Sequence, residues 1–254
     1  MAVTTELIKA HLYLHAVLPQ LEEVVRVDPA AQQVVAGCRG SIGLQVAGGP
    51  GLRLEIASAS LRAFRRGRGL PSLGLLLLGP GAAVRMFEGG GAVPLPWIGA
   101  WRPRLIGGLR ALSARLQYYL RSERAQLEAD GTFAAAVGVR LAVLVHAIGV
   151  LAEAWDEGRR IAASGGADGV AEIGIVAHPP MQIMSGQGRL QVARGAQSQA
   201  NVTVQFADPD TAYGVLSGEL ALWTALGTGA VRLRGQLPLL DPILQLMSRV
   251  GRFL

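Results

Sequence analysis

Hydrophobic and polar residues alternate with period two in four short runs in the second half of the chain. These are Glu172–Ala177, Met181–Met184, Leu190–Ala193 and Val202–Phe206, and each predicts a strand. In the last run Val202, Val204 and Phe206 point one way, Thr203 and Gln205 the other. Turn chemistry separates the runs at Pro179-Pro180, Ser185–Gly188 and Gly195–Asn201. An apolar helix over Phe133–Ala163 precedes them. A helix follows at Asp208-Pro209-Asp210, where Asp208 suits the N-cap and Pro209 the first helical position, and it ends near Gly218. Next come a short apolar helix, Leu220–Leu226, and a strand, Val231–Gly235, with Val231 and Leu233 inward and two arginines outward. Asp241-Pro242 is read as the cap of a last helix. Its apolar positions Leu240, Ile243, Leu244, Met247, Val250 and Leu254 follow helical spacing, and Leu239, Leu246 and Phe253 broaden the stripe.

The first half repeats this order. Shifted by 129 residues, 40–93 aligns to 169–222 without a gap, with eight identities in 54 positions, among them Gly40/Gly169, Pro80/Pro209 and Gly89/Gly218. The hydrophobic pattern is the stronger signal: Leu44–Val46 faces Ile173–Ile175, and Leu73–Leu77 faces Val202–Phe206. A small change of shift extends the match, pairing Arg104–Gly107 with Arg232–Gly235 downstream. A helix over Thr5–Val27 opens the first repeat. The expected domains are 5–129 and 133–254, in an α+β fold of two tandem units, each a curved, mostly antiparallel sheet covered by helices.

Half of the 254 residues are hydrophobic, 17% are charged and one is cysteine, which excludes a disordered chain and a disulfide scaffold. The net charge of +6 is uneven. Residues 1–125 hold 15 Lys/Arg against 7 Asp/Glu, a balance of +8; residues 126–254 hold 9 against 11, a balance of −2. A uniformly basic nucleic-acid binder is not built this way, and no nucleic-acid partner is expected. The best candidate for a membrane span, Phe133–Trp155, contains Arg140, His146 and Glu153; it reads as a buried or amphipathic helix. The N-terminal residues lack the pattern of a secretory signal, so a cytoplasmic protein is expected, in peripheral contact with a membrane.

Catalytic patterns are nearly absent: there is no G-x-S-x-G, H-E-x-x-H, P-loop or G-x-G-x-x-G. His11 and His15 lie four apart on one helix without an evident third ligand, Cys38 has no identifiable base, and Asp208 and Asp210 are explained by capping. The sequence calls for no metal, no cofactor and no catalytic residue. Arg62, Arg65, Arg66 and Arg68 surround Phe64; they read as a solvated strand end or as a contact for lipid headgroups or other phosphates. The last 18 residues, Leu237–Leu254, carry only Asp241, Arg249 and Arg252 as charges. A helix this apolar needs cover, from an apolar ligand, the partner repeat or another chain, which leaves oligomerisation through it open.

The stretch Asn201–Gln236, NVTVQFADPDTAYGVLSGELALWTALGTGAVRLRGQ, resembles the tail of the sterol carrier protein type 2 family, and MQIMSGQGRLQVARG resembles its central hairpin. In the first repeat, Asp28–Ala31 and GSIGLQVAGGPGLRLEI are similar to bacterial members that assist quinone biosynthesis. The resemblance implies a lipid-binding fold with an apolar tunnel between sheet and helices, and no catalytic residues. Its wall candidates here are Met181, Ile183, Val204, Phe206, Tyr213, Leu216, Trp223, Leu226, Leu233, Ile243 and Met247. Repeat one departs from the pattern: Gly79–Gly81 replaces Asp-Pro-Asp, and Pro94, Pro96, Trp97 and Trp101 precede the expected late strand, so its pocket is expected to be altered or closed. Three function classes are open on these grounds. The first is non-enzymatic binding or carriage of a fatty acyl, isoprenoid/quinone or sterol-like lipid. The others are an accessory scaffold for enzymes of a lipid or quinone pathway, and an enzyme with an unrecognised site.

Overall fold

The computed structural model describes residues 4–65, 67, 69–164, 168–196 and 199–254. The fold is α+β and divides into two compact units, Met1–Arg121 with Phe253–Leu254, and Ser122–Arg252.

In the first unit a helical run opens with α1 (Thr5–Leu12) and closes with α2 (Leu21–Val27). The expected single helix is interrupted by a π-turn at Tyr13–Val17 and a 3-10 turn at Leu18–Gln20. Pro19 is the cause: it cannot donate the helical hydrogen bond and crowds the preceding turn. Buried Gln20 compensates by donating from Nε2 to the Ala16 carbonyl at 3.0 Å. Asp28 then caps α3 (Pro29–Ala36), accepting from the Ala30 N–H, and its other oxygen takes Arg115 Nε at 2.5 Å.

The sheet of this unit has the order β3-β2-β1-β4-β5, from β1 (Gly40–Val46), β2 (Gly51–Ala57), β3 (Ser60–Phe64), β4 (Leu73–Leu77) and β5 (Leu95–Ile98). β1 pairs in parallel with β4, and the other neighbours are antiparallel. Helix α4 (Pro80–Phe87) follows β4, and α5 (Pro103–Arg121) follows β5. α4 is tied to the opening helix by Lys9 Nζ to Glu88 Oε1 at 2.6 Å and by the Tyr13–Phe87 ring stack, centroids 4.7 Å apart. The Tyr13 hydroxyl also donates to Glu88, and burial, then that carboxylate, pushes its pKa up to about 12.

The second unit adds α6 (Arg124–Ala129), α7 (Phe133–Ala154) and α8 (Asp156–Ser164) before its sheet. α6 packs on α7 and Thr132 Oγ1 donates to the Leu127 carbonyl, so the boundary falls at Arg121 and not at the expected 129. The expected helix Phe133–Ala163 breaks at Trp155, where the backbone is extended (φ −112°, ψ 131°). The chain then folds back so closely that a Cβ at Gly158 would collide with the Leu151 carbonyl oxygen. α7 is the helix among the described residues long and apolar enough to cross a membrane, yet 67% of its most apolar window is buried.

The second sheet has the order β10-β9-β6-β7-β8, from β6 (Gly169–Ile175), β7 (Met181–Gly186), β8 (Arg189–Arg194), β9 (Val202–Phe206) and β10 (Val231–Gly235). Its topology is that of the first sheet, with the parallel pair now β6 and β9. The register is shared as well: Gly40↔Ile56 becomes Gly169↔Ser185, and Ile42↔Leu73 becomes Ala171↔Val202, each 129 residues on. A one-residue slip would turn every inward side chain outward, so equal register is a demanding correspondence. α9 (Pro209–Ser217), α10 (Leu222–Gly227) and α11 (Asp241–Val250) complete the unit. α7 packs on β7 and β8, α10 on β10, and α11 on α7 and α8.

Two expectations are corrected. Arg104–Gly107 is not the counterpart of β10: it lies in helix α5, and the fifth strand comes earlier, at Leu95–Ile98, containing Pro96 and Trp97. A short RLxG match cannot separate a strand from an amphipathic helix, because both place leucine beside arginine. Asp241 is the first residue of α11 and not its cap; its carboxylate accepts from Gln245 Nε2 at 2.8 Å.

Asp208 does cap α9, accepting from the Thr211 N–H at 2.7 Å, and Gly218 closes the helix in the left-handed region at φ 79°. The Thr211 backbone hydrogen bond holds the Asp208 carboxyl below its usual pKa. A lowered folded-state pKa gives stability that is present above the unfolded value and lost as pH falls through the folded one. Asp208→Ala is expected to cost about 1 kcal/mol at neutral pH. In urea titrations that difference should vanish when acidification protonates the wild-type carboxyl.

Candidate functional site

The inward side of the second sheet is apolar across β6, β7, β9 and β10, because inward residues alternate with polar ones; on β8 the row through Met181 ends at Arg194, half-buried, beside Val192 and Leu190. Registered rows run across it. One row is Leu233–Val204–Ile173–Met181; beside it lie Val202–Ala171–Ile183 on one flank and Val231–Phe206–Ile175 on the other. Five of the predicted wall residues, Met181, Ile183, Val204, Phe206 and Leu233, therefore share one face. Ile173, Ile175, Val202 and Val231 belong to the same face and were not among the predicted wall residues. The alternation in Ala171–Ile175 is the signal that identifies the first two.

Cover over this face is uneven. Met181, Ile183, Ile173 and Ala171 are buried, as are the flanking Val202, Phe206 and Val231. Val204 and Leu233 are only half-buried. Val204 sits on β9, between β6 and β10, so solvent does not reach it around a sheet edge. This partly uncovered spot at Val204 and Leu233 is the recess; α7 lies over β7 and β8, α10 against β10, and α9 against α7 and α10.

The remaining predicted residues divide in two. Tyr213 and Leu216 on α9 and Leu226 on α10 are half-buried, on the two helices that come after β9. Tyr213 lies against Phe133 of α7, ring centroids 5.5 Å apart, with the Arg140 guanidinium 5.5 Å and that of Arg124 5.7 Å from its ring. Arg124 also pairs with Asp210 and Glu128, and Arg140 donates to the Ser122 carbonyl. Ile243 is buried and Met247 half-buried on α11, the helix packed on α7 and α8. Trp223 is 74% exposed and forms no part of the buried layer.

In the first unit the residues corresponding to Val204 and Tyr213 are Leu75 and Val84, and both are buried. Every inward leucine, isoleucine and valine of β1–β4 is buried too. On β5, by contrast, Pro96, registered with Leu75 on that face, is exposed.

The other singled-out groups have local roles. His15 Nε2 meets the Gly51 carbonyl at 3.0 Å, with the His11 ring edge-on at 5.4 Å, and His146 Nδ1 meets the Ala142 carbonyl at 2.8 Å. The Cys38 thiol points to the Arg104 carbonyl at 3.4 Å. Among the described residues no three His, Cys, Asp or Glu side chains gather as metal ligands would. Arg62 is exposed on β3 and Arg65 just beyond it, whereas Arg66 and Arg68 lie outside the described residues.

No family model and no curated protein matches the chain. Among solved structures it is similar to the sterol carrier protein domain 2 of Helicoverpa armigera, at 14% identity over 44% of this chain and 89% of that one, TM-score 0.36. It is similar to a ubiquinone synthesis protein, UbiJ-SCP2, at 14% identity over 36% and 74%, TM-score 0.29. A third is sterol carrier protein 2 like 2 from Aedes aegypti, at 24% identity over 35% and 88%, TM-score 0.25.

Burial separates residues that hold the fold from those that line the recess. Met181→Ala and Ile183→Ala are each expected to cost roughly 2–4 kcal/mol, as large-to-small changes in a packed core do. Val204→Ala is expected to cost less than about 1 kcal/mol, because part of its surface is already in water. Urea midpoints of the three variants provide the comparison.

Proposed function

We propose that the protein binds or carries an apolar lipid, of fatty acyl, isoprenoid/quinone or sterol-like class, without catalysing a reaction. The observation that carries this reading is the recess above Val204 and Leu233. An inward, apolar position on an interior strand is left half-covered, while Val202 and Phe206 on the same strand and face are buried. Leaving such surface in water costs about 25 cal/mol per Å², and an apolar ligand recovers that free energy by occupying it. The likeness of Asn201–Gln236 to sterol carrier proteins supports the same reading. We place the protein in the cytoplasm, peripheral to a membrane from which such a ligand is drawn.

Native mass spectrometry of the purified protein, with fluorescent acyl, isoprenoid and sterol probes, tests the proposal. Bound lipid, or saturable binding of one probe class, is the expected result. Val204→Glu and Leu233→Glu should weaken probe binding by about tenfold or more, since a carboxylate in the recess must be desolvated when the ligand enters. Both positions reach water, so these variants are expected to stay folded. Lipid-free protein that binds none of the three probes would sink the proposal. Stoichiometric co-purification with an enzyme in that lipid-free state would favour the scaffold reading.

A further inference from the structure

The outward face of the first sheet ends in exposed apolar side chains at β4 and β5. Leu76 and Leu95 are registered partners on that face, opposite in sense to buried Leu75. Gly74 has no side chain there, and a Cβ would sit 2.5 Å from both Trp97 Cε2 and Ile98 Cγ2. The glycine thus lets the Trp97 indole lie on the strand. Leu95 is 49% and Trp97 53% exposed; Leu78 and Val93, just past the ends of the pairing, are 71% and 78% exposed. Trp101, in the tight turn that leads into α5, is 76% exposed.

The second unit shows the ordinary solution at this place. On β10 the outward positions are Arg232 and Arg234, both exposed, registered with Gln205 and Thr203. In the first unit the edge strand carries leucine and tryptophan where the second carries arginine. Scattered apolar exposure is normal, but a contiguous strip along one edge is not.

Charge identifies the occupant. Residues 89–122 contain Arg102, Arg104, Arg110, Arg115 and Arg121 and no Asp or Glu, and of these Arg115 is paired with Asp28. Arg102 and Arg104 come directly after Trp101 and are exposed. Exposed tryptophan and leucine bordered by arginine fit the boundary between headgroups and acyl chains of an anionic bilayer. Strand addition by a second copy fits less well, because Pro94 and Pro96 remove two N–H donors from this edge.

We infer that the β4–β5 face of the first unit, with Trp97 and Trp101 inserted and Arg102 and Arg104 on headgroup phosphates, docks the protein on an anionic lipid surface. The inference rests on the peripheral membrane placement proposed for the protein, but not on a ligand in the recess.

Co-sedimentation of the full chain with vesicles of phosphatidylcholine and phosphatidylglycerol at ~7:3 tests it. Wild type should bind, with a blue shift of tryptophan emission, and should bind much less to phosphatidylcholine alone or at high salt. Trp97→Ala with Trp101→Ala should lose about tenfold or more in partition, and so should Leu95→Ser with Arg102→Ser. Circular dichroism and urea midpoints establish that these variants fold. Wild-type binding that the variants retain, or that only Arg62→Ser and Arg65→Ser abolish, overturns the inference and leaves the peripheral placement standing. No vesicle binding by wild type overturns both. A wild-type dimer that the tryptophan variants dissolve, without vesicle binding, overturns it in favour of self-association.

Discussion

Each sheet has one apolar face, and that face has to be covered across its full width. Five strands about 4.8 Å apart span roughly 19 Å, whereas a helix with its side chains is about 10–12 Å across. One helix therefore covers about half of such a face, and the chain must bring a second layer over the rest. The opening helix of each unit takes the hairpin side: α7 over β7 and β8, and the run from the π-turn to α2 over β2 and β3. Cover on the other side depends on the segment between the parallel strand and the edge strand, and this is where the units differ.

After β4 the first unit has one short helix, α4, and goes almost directly into β5. Its central inward residue, Leu75, is covered. After β9 the second unit inserts α10 as well, and α10 sits against β10. The added helix covers the edge strand but leaves Val204, one strand further in, half-covered. The second unit thus has more cover at the edge, where Leu233 is half-buried and the first unit's Pro96 exposed, and a gap at Val204, where the first unit's Leu75 is buried. A chain selected only for stability would close it with a larger residue than valine, which is an accessible change.

Much of the fold was legible because it is local. Alternation gave the strands, Asp208 and Gly218 gave the limits of α9, and a common shift of 129 carried a common register. Pro19 marks the interruption of the opening helix for a reader who asks where its hydrogen bond would go. The features that stayed hidden are set by packing between distant segments. Val204 and Phe206 have the same parity on one strand, yet one is half-buried and the other buried, a difference that alternation along the strand does not carry. The edge strand at Leu95–Ile98 stayed hidden because two prolines break its alternation and a bulge between Gly74 and Leu75 shifts its pairing. Trp97 looked like part of a connection, and only the register places its indole on Gly74.

The charge asymmetry belongs with this divergence. The two units share one topology and one requirement, a stable sheet with its inward face covered. Each unit is then free in everything that requirement does not touch. The second keeps arginine on the outside of β10 and a recess inside. The first buries the inward leucine, isoleucine and valine of β1–β4, puts apolar side chains on the outside of β5, and follows them with the exposed Arg102 and Arg104 in a segment without acids up to Glu123. These changes are opposite in sense on the two sides of equivalent strands. Neutral drift towards arginine would raise the positive charge of both units alike, and would not clear acids from one segment while placing tryptophan beside it.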